Sequence, residues 1–291
     1  MTVVRLPVGV AGTSARRFFL LATGPSSTNV RLLAAAAERF RDVDLVTADE
    51  LQVRVGPEDV VLARLDVRPT LDGIERGLLE LQELERDPWP PTVLNRAGVL
   101  FVCHDKVATG IALRSAGIPH PRTACVDHAS QLRNLEPPVV LKPRLGRGGA
   151  DVFVCDTRRE LQRCFRAIRD RSWYRRHGAL VQTYLPGHGP ELRVLVAAGA
   201  VVGTTVPPAA AALAVRAALT VHADLVQVDL IQDRRGRWVV LDLNCASEIA
   251  SDDDADADRV CALALDRLAA LAALPDARSA PRRASDRTQP A

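Results

Sequence analysis

Two segments constrain this chain more than any others: Val140-Leu-Lys-Pro-Arg-Leu-Gly-Arg-Gly-Gly149 and, further along, Val239-Val-Leu-Asp-Leu-Asn244. The first reads as a buried strand that delivers Lys142 to a basic, glycine-rich loop. The second reads as a strand ending in Asp242 and Asn244, two residues apart and therefore on one face. A lysine directed at whatever its sheet covers, backbone amides of a glycine loop and a short carboxylate/amide pair form a set suited to a nucleotide triphosphate with magnesium.

The surrounding pattern places these segments in an alternating fold. Phe18 to Ala22 is a strand candidate, followed by the turn-like Gly24-Pro-Ser-Ser-Thr-Asn29 and an alanine-rich helix from about Val30 to Phe40. Val43 to Val46 and Asp59 to Leu65 read as strands, and Ile74 to Arg86 has helical leucine spacing broken by Pro88 to Pro91. Strands alternating with helices imply a small α/β domain with a mostly parallel sheet. Beyond it, Asp105 to Ala116 predicts a helix closed by Gly117, and Val139 to Leu141 with Asp151 to Cys155 predict antiparallel strands around the glycine loop. Arg158 to Arg169 predicts an amphipathic helix. Leu180 to Leu185, Glu191 to Ala197 and Ala200 to Thr205 predict strands, and Ala209 to His222 a helix. Leu225 to Gln232 and Arg237 to Leu243 predict a hairpin around Asp233-Arg-Arg-Gly236, and Arg259 to Leu274 a last helix. The Arg-, Ser-, Ala- and Pro-rich 275–291 predicts a disordered tail.

Several residues carry chemistry. Gly146, Gly148 and Gly149, with Arg147 between them, can turn backbone amides toward phosphate oxygens. Lys106 follows Asp105 at a helix start, a place that favours anions. Gln182-Thr183-Tyr184-Leu185 ends a strand with exposed backbone able to meet a purine edge. Asp229 lies inside the apolar run Leu225 to Ile231, where a carboxylate must be paired, hydrogen-bonded or bound to a cation. With Asp242 and Asn244 on the partner strand it forms an oxygen-rich group suited to magnesium.

Composition narrows the classes. Only Lys106 and Lys142 are lysines in a chain whose basic residues are otherwise arginine, which marks both for tasks that need a compact point charge. A net charge of +3 does not argue for nucleic acid. No apolar run has membrane-spanning character, and Met1 to Arg17 lacks the ordered regions of a signal peptide. The six cysteines are scattered without a C-x-x-C pair, so reduced, buried thiols and a cytoplasmic location are expected.

On these motifs the chain resembles the ATP-grasp superfamily, and within it the RimK-type (alpha-L-glutamate ligase-like) carboxylate–amine ligases. The resemblance runs in order through Ala63-Arg-Leu-Asp66, Leu94-Asn-Arg96, His104-Asp-Lys106, Ala116-Gly-Ile-Pro-His-Pro121, the Lys142 loop, Gln182-Thr-Tyr-Leu185, Glu191-Leu-Arg193, Val228-Asp229 and Leu241-Asp-Leu-Asn244. It implies an ATP-grasp fold, α/β and α+β. An N-terminal pre-ATP-grasp α/β domain would span 1–97. An ATP-grasp domain would span 98–274, with a small lobe at about 123–180 and a large C-terminal lobe at about 181–274 enclosing ATP between them. It implies that Lys106 and Lys142 hold phosphates. Gln182, with the backbone of Thr183, Tyr184 and Leu185, would line the adenine pocket, and Glu191 would join the nucleotide-binding set. Asp229, Asp242 and Asn244 would handle Mg2+, with Mn2+ as an alternative. Lys142 and Arg193 are the implied catalytic pair, Arg193 stabilising the transferring phosphoryl group. The implied reaction phosphorylates a carboxylate and passes the acyl group to an amine, with glutamate addition as one form. The partner would be a small molecule, coenzyme or peptide, with neither nucleic acid nor membrane involved; a homo-oligomer stays open.

Three departures stand out. Asp242 replaces the family's glutamate. Thr204-Thr-Val-Pro-Pro208 runs almost directly into the following helix, where relatives carry a longer segment with an Arg and an Asn for the reacting phosphate. Cys245-Ala-Ser-Glu-Ile-Ala-Ser251 and the acidic run Asp252 to Asp258 replace a Ser-Pro-Gly-like loop, the acidic run reading as a solvated helix start. A non-catalytic nucleotide-binding partner or sensor, and a kinase on the same scaffold, are the alternatives to a ligase.

Overall fold

A computed structural model describes residues 14–186, 191–203, 205–249 and 253–274. The expected 275–291 tail lies outside these residues, as does part of the acidic run. Three four-stranded sheets organise the chain. The first is built from β1 (Ser14–Leu21), β2 (Phe40–Val46), β3 (Val60–Ala63) and β4 (Thr92–Leu94), in the order β2-β1-β3-β4 and parallel throughout. Helices α1 (Ser27–Ala37), α2 (Ala48–Arg54) and α3 (Leu78–Glu85) connect its strands. Strands this apolar are buried on both faces: Phe18, Leu20 and Leu62 sit in one core, and Phe19, Leu21 and Val61 in another.

Ala97–His104, for which the sequence reading makes no assignment, is helix α4, and α5 (Lys106–Ser115) follows after the single residue Asp105. The Asp105 carboxylate accepts from the amides of Val107 and Ala108, so the chain breaks and restarts its helix there. The second sheet contains β5 (Thr123–Val126), β6 (Val139–Pro143), β7 (Phe153–Cys155) and β8 (Ala179–Thr183), antiparallel in the order β5-β8-β6-β7. Helices α6 (Arg158–Ile168) and α7 (Ser172–His177) cover one face, with Leu161, Phe165 and Trp173 packed on Val139, Leu141 and Val181. Strand period two then turns Val140, Lys142 and Gln182 to the other face.

The third sheet is antiparallel, β10-β9-β11-β12, from β9 (Leu192–Ala197), β10 (Ala200–Val202), β11 (Leu225–Gln232) and β12 (Trp238–Asn244). Both expected turns are present: Ala198-Gly199 adopts positive φ (46° and 73°), and Gly236 (φ 71°) closes the hairpin on Asp233. Helix α8 (Pro208–Thr220) lies on one face with α4 and α5, burying Ala210, Ala214 and Ala217 against Val194, Val228 and Leu243. Helix α9 (Asp254–Ala272) begins inside the acidic run, with Asp253 as its cap, and packs between α1 and this sheet. Its start is therefore earlier than the apolar pattern predicts, because the carboxylates suit the helix N-terminus. Among the described residues no helix is long and apolar enough to cross a membrane.

Candidate functional site

The third sheet builds one wall. Arg193 stands opposite Asp229 on β9 and β11, and Asp229 stands opposite Asp242 on β12. Directly paired residues of antiparallel strands share a face, so the three form one row. The next row on that face holds Leu195, Gln227 and Asn244. Helix α9 covers one end of the face, where Leu195, Ala197 and Leu225 meet Ala264, Leu265 and Leu268; the charged row lies beyond it. A bulge follows Asp229, between Asp229 and Leu230, and ends the alternation there.

Two carboxylates side by side repel, and their surroundings separate them. Burial works against the Asp242 charge, but Lys106 and Lys142 outweigh it and hold this carboxyl below its usual range. Lys106 Nζ contacts Asp242 Oδ2 at 2.5 Å. Among the described residues Asp229 receives only a 2.8 Å hydrogen bond from Gln227 Nε2. Burial, reinforced by the Asp242 charge, pushes Asp229 up to about 6.

The second sheet builds the facing wall. Gln182, 5% exposed, accepts from Lys142 Nζ at 2.8 Å and donates to Thr123 Oγ1 at 2.9 Å. Lys142 thus has a neutral acceptor as its hydrogen-bond partner. Burial and then the Lys106 charge lower it to about 8, against the pull of Asp242 and Glu191. Lys106, Asp242 and Glu191 therefore lie near enough to Lys142 to act on its charge, and Lys106 touches Asp242.

Some expected residues are placed differently from the simplest reading. The Gln182 side chain is spent on Lys142 and Thr123 rather than offered to a base. The amides of Thr183 and Tyr184 already donate to Arg122 O (2.9 Å) and Pro138 O (3.2 Å), and Leu185 follows half-buried. Gly148 and Gly149 adopt φ of 55° and 70°, which turns the loop sharply, and Gly146 sits against the Lys106 side chain. Arg147, in the same loop, reaches away: it pairs with Asp66 at 3.3 Å and donates to Val67 O at 3.1 Å. The start of α5 is likewise engaged, since Asp105 caps it and is gripped by Arg144 at 2.6 Å. A separate recess of about 520 Å³, lined by Arg68, Asp72, Phe101, Asp105, Arg144 and His177 among others, contains none of the facing charges.

Asp229, Asp242 and Asn244 fit a divalent cation on their own chemistry. They offer hard oxygen donors, and a cation between the carboxylates would relieve the repulsion that raises Asp229. Among the described residues no group of three His, Cys, Asp or Glu could hold a metal alone. Phosphate oxygens and water would have to complete the shell, as magnesium accepts.

Three residues that sequence reasoning does not single out tie these elements together. His120 holds Val240 O at 2.9 Å through Nδ1, and burial lowers it from the usual histidine value. Arg64 and Glu248 join the first sheet to the loop after Asn244. A buried-strand arginine at 64 and a lone glutamate four positions past Asn244 were the available signals.

Residues 103–220 match the ATP-grasp domain family. The chain is similar to a RimK-domain ATP-grasp protein from Sphaerobacter thermophilus, at 23% identity over 87% of this chain and 99% of that one, with a TM-score of 0.62. It is similar to D-alanine–D-alanine ligase from Bacillus anthracis, at 16% identity over 88% and 98%, with a TM-score of 0.64. It is also similar to the ATP-grasp ligase PsnB complexed with minimal precursor, at 15% identity over 88% and 100%, with a TM-score of 0.63.

Proposed function

We propose that this chain, whose residues 103–220 match the ATP-grasp domain family and whose fold is that of ATP-grasp proteins, is an ATP-dependent carboxylate–amine ligase. A substrate carboxylate oxygen attacks the γ-phosphorus of ATP, and ADP leaves. An amine then attacks the acyl phosphate, forming the amide and releasing phosphate. Lys142 and Lys106 neutralise phosphate charge, and Arg193 meets the transferring group. The loop amides of Gly146 to Gly149 cradle phosphates, and Gln182 keeps Lys142 aimed. Asp229, Asp242 and Asn244 would hold magnesium, which would offset phosphate charge there. The protein's share is positioning and charge neutralisation.

The observation that carries this reading is the row Arg193–Asp229–Asp242, with Lys106 on Asp242 and Lys142 facing it. It joins a cation for the transferring phosphoryl group to two carboxylates for a metal, opposite a lysine with only a neutral partner. The D-alanine–D-alanine ligase from Bacillus anthracis has been seen complexed with ATP, and PsnB with a precursor, Mg and ADP. In this reading 1–97 forms the pre-ATP-grasp domain, 98–274 forms the two lobes around ATP, and the protein works in the cytoplasm. Its substrates are small molecules, coenzymes or peptides, glutamate addition being one form.

The test measures Mg-ATP binding and release of ADP and phosphate with paired carboxylates and amines. Turnover should need both partners, and Lys142→Ala and Asp242→Asn should each abolish it. Unchanged nucleotide binding in both variants would sink the site assignment. One feature favours a non-catalytic nucleotide-binding module instead: β10 ends at Val202 and α8 begins at Pro208, leaving little chain for an acceptor-site segment. ATP binding without turnover across a broad panel, with a tight protein partner, would select that reading.

A further inference from the structure

The connection between α5 and β5 is short, and it is bonded to both sheets that carry the candidate site. Its start belongs to the core under the third sheet: the Gly117 and Ile118 amides donate to Arg114 O and Leu113 O, and the Ile118 side chain is buried. Pro119 and Pro121 fix φ on either side of His120, which stiffens the segment. Strand β12 lies at the edge of its sheet, with one side free of strand partners. The connection covers that side at Val240. The Val240 amide donates to Pro119 O at 2.9 Å, and the Val240 carbonyl accepts from His120 Nδ1, also at 2.9 Å. Asp242 stands two residues further along the same strand.

Three residues beyond His120 the chain enters the other sheet. Thr123 Oγ1 donates to Pro121 O at 3.0 Å and accepts from Gln182 Nε2 at 2.9 Å. Gln182 Oε1 in turn accepts from Lys142 Nζ at 2.8 Å. One series of bonds therefore joins the strand of Asp242 to the side chain of Lys142, and His120 is its link to β12. Both of those charges lie near enough to act on the His120 ring.

The ring is held at the expense of stability. A carbonyl only accepts, so Nδ1 carries the proton of the neutral imidazole and Nε2 is left as a bare acceptor. Burial outweighs the Val240 bond and keeps His120 below the usual histidine value, which favours this neutral form. Nε2 is buried with no hydrogen-bond partner among the described residues, a destabilising state for a polar atom. Against it lies Gly110, inside α5, where glycine is worse than alanine. A Cβ at Gly110 would stand 3.3 Å from Nε2 and 3.4 Å from Cδ2, so an alanine would press on the ring. Two unfavourable choices thus meet at one spot, and both keep an imidazole between α5 and β12. Packing alone would be met better by an apolar side chain over an alanine. What the imidazole adds is its bond to Val240 O.

We propose that His120 is a positioning residue for the nucleotide site: its bond to Val240 fixes the α5–β5 connection on β12 and so sets Asp242 against Lys142, with Gly110 as the seat of the ring. This deepens the ligase reading and rests on it, because it takes Asp242 and Lys142 as the metal and phosphate sides of one site. The active part of His120 is the Nδ1 donor. An asparagine amide nitrogen falls where Nδ1 stands, and that side chain has no atom at Nε2.

The test is calorimetric binding of ADP with saturating magnesium to the full chain, in variants shown to be folded by circular dichroism, where lost stability alone leaves affinity unchanged. His120→Leu should weaken binding by about fivefold to tenfold, the worth of one hydrogen bond, and His120→Asn should stay within about twofold of the parent. Gly110→Ala deletes no polar group but displaces the ring. It should weaken binding by about threefold or more in the parent and leave it unchanged in the His120→Asn background, the coupling expected of residues in contact. Should His120→Leu not fold, Gly110→Ala in the two backgrounds decides. The proposal is overturned if the folded variants bind like the parent or if His120→Asn is as weak as His120→Leu. It is overturned as well if Gly110→Ala weakens binding equally in both backgrounds, which would place its effect in α5 itself. A parent that does not bind magnesium and ADP is the separate signature of a failed ligase reading, and it removes the ground of this one too.

Discussion

The two walls of the cleft treat charge in opposite ways. On β6 and β8, one buried cation, Lys142, is held by a neutral side chain, Gln182, which is itself anchored on Thr123. On β11 and β12, two carboxylates are crowded together, and among the described residues only Asp242 has a cation in contact. Each wall is left with charge unmatched by its own sheet, and the signs differ. Structural ion pairs are normally matched in place, because unpaired buried charge is expensive. A polyphosphate against the basic wall and a divalent cation against the acidic wall, as the proposed function supplies, would complete both.

This contrast can be broken from either side. The largest effect is expected at Lys142, whose replacement by alanine leaves the basic wall without its point charge; nucleotide affinity by calorimetry should fall by about 100-fold or more, as for loss of a buried charge contact. Asp242→Asn should come next. It removes the carboxylate that Lys106 contacts, and should weaken magnesium-dependent binding by roughly tenfold to 100-fold, in keeping with loss of one oxygen ligand or its support. Metal-free nucleotide binding should change far less, and equal losses with and without magnesium would remove Asp242 from the metal's surroundings.

The acidic wall also predicts a pH effect on stability. Asp229 is pushed up to about 6 in the folded protein. The ordinary aspartate value is about 4, so the folded state holds this proton more tightly than the unfolded chain. The resulting contribution is fully present below about pH 4 and is lost as pH rises through about 6. Asp229→Asn removes the titration. In metal-free buffer, its unfolding free energy relative to the parent should rise by about 2 kcal/mol between the two ends of that window. A constant difference across the range, by urea denaturation, would show that Asp229 is not strained by Asp242 and burial.

The smallest effect should come from the clamp on the basic wall. Gln182→Met keeps the volume but takes away the acceptor, so Lys142 loses a bond worth about 1 kcal/mol and with it some of its aim. Nucleotide affinity should drop by up to about tenfold. No change would mean that Lys142 needs no positioning.

Much of this was legible because local rules govern it. Period two alone places Asp242 beside Asn244, and the hairpin around Asp233 to Gly236 brings Asp229 to the same face. The strand before the glycine loop delivers Lys142 as its pattern requires. Helix α4 was not legible: Val99-Leu-Phe-Val-Cys103 is apolar enough for a strand, and only its burial among α3, α5 and the third sheet decides for a helix. Nor was the direction of Arg147. Its loop position suggests phosphate, but Asp66 and Glu75, distant in sequence, draw it to the first sheet's side.

By itself the sequence determined the strands, the glycine loop, the two significant lysines and the oxygen-bearing trio, because each depends on neighbours a few residues away. The tertiary structure alone decided which charges meet. It set Lys106 on Asp242, gave Lys142 a neutral partner in Gln182, aligned Arg193 with Asp229, and rested Glu248 on the start of α1. Coulomb energies depend on distance and burial, and neither is fixed by spacing along the chain when the partners come from different sheets.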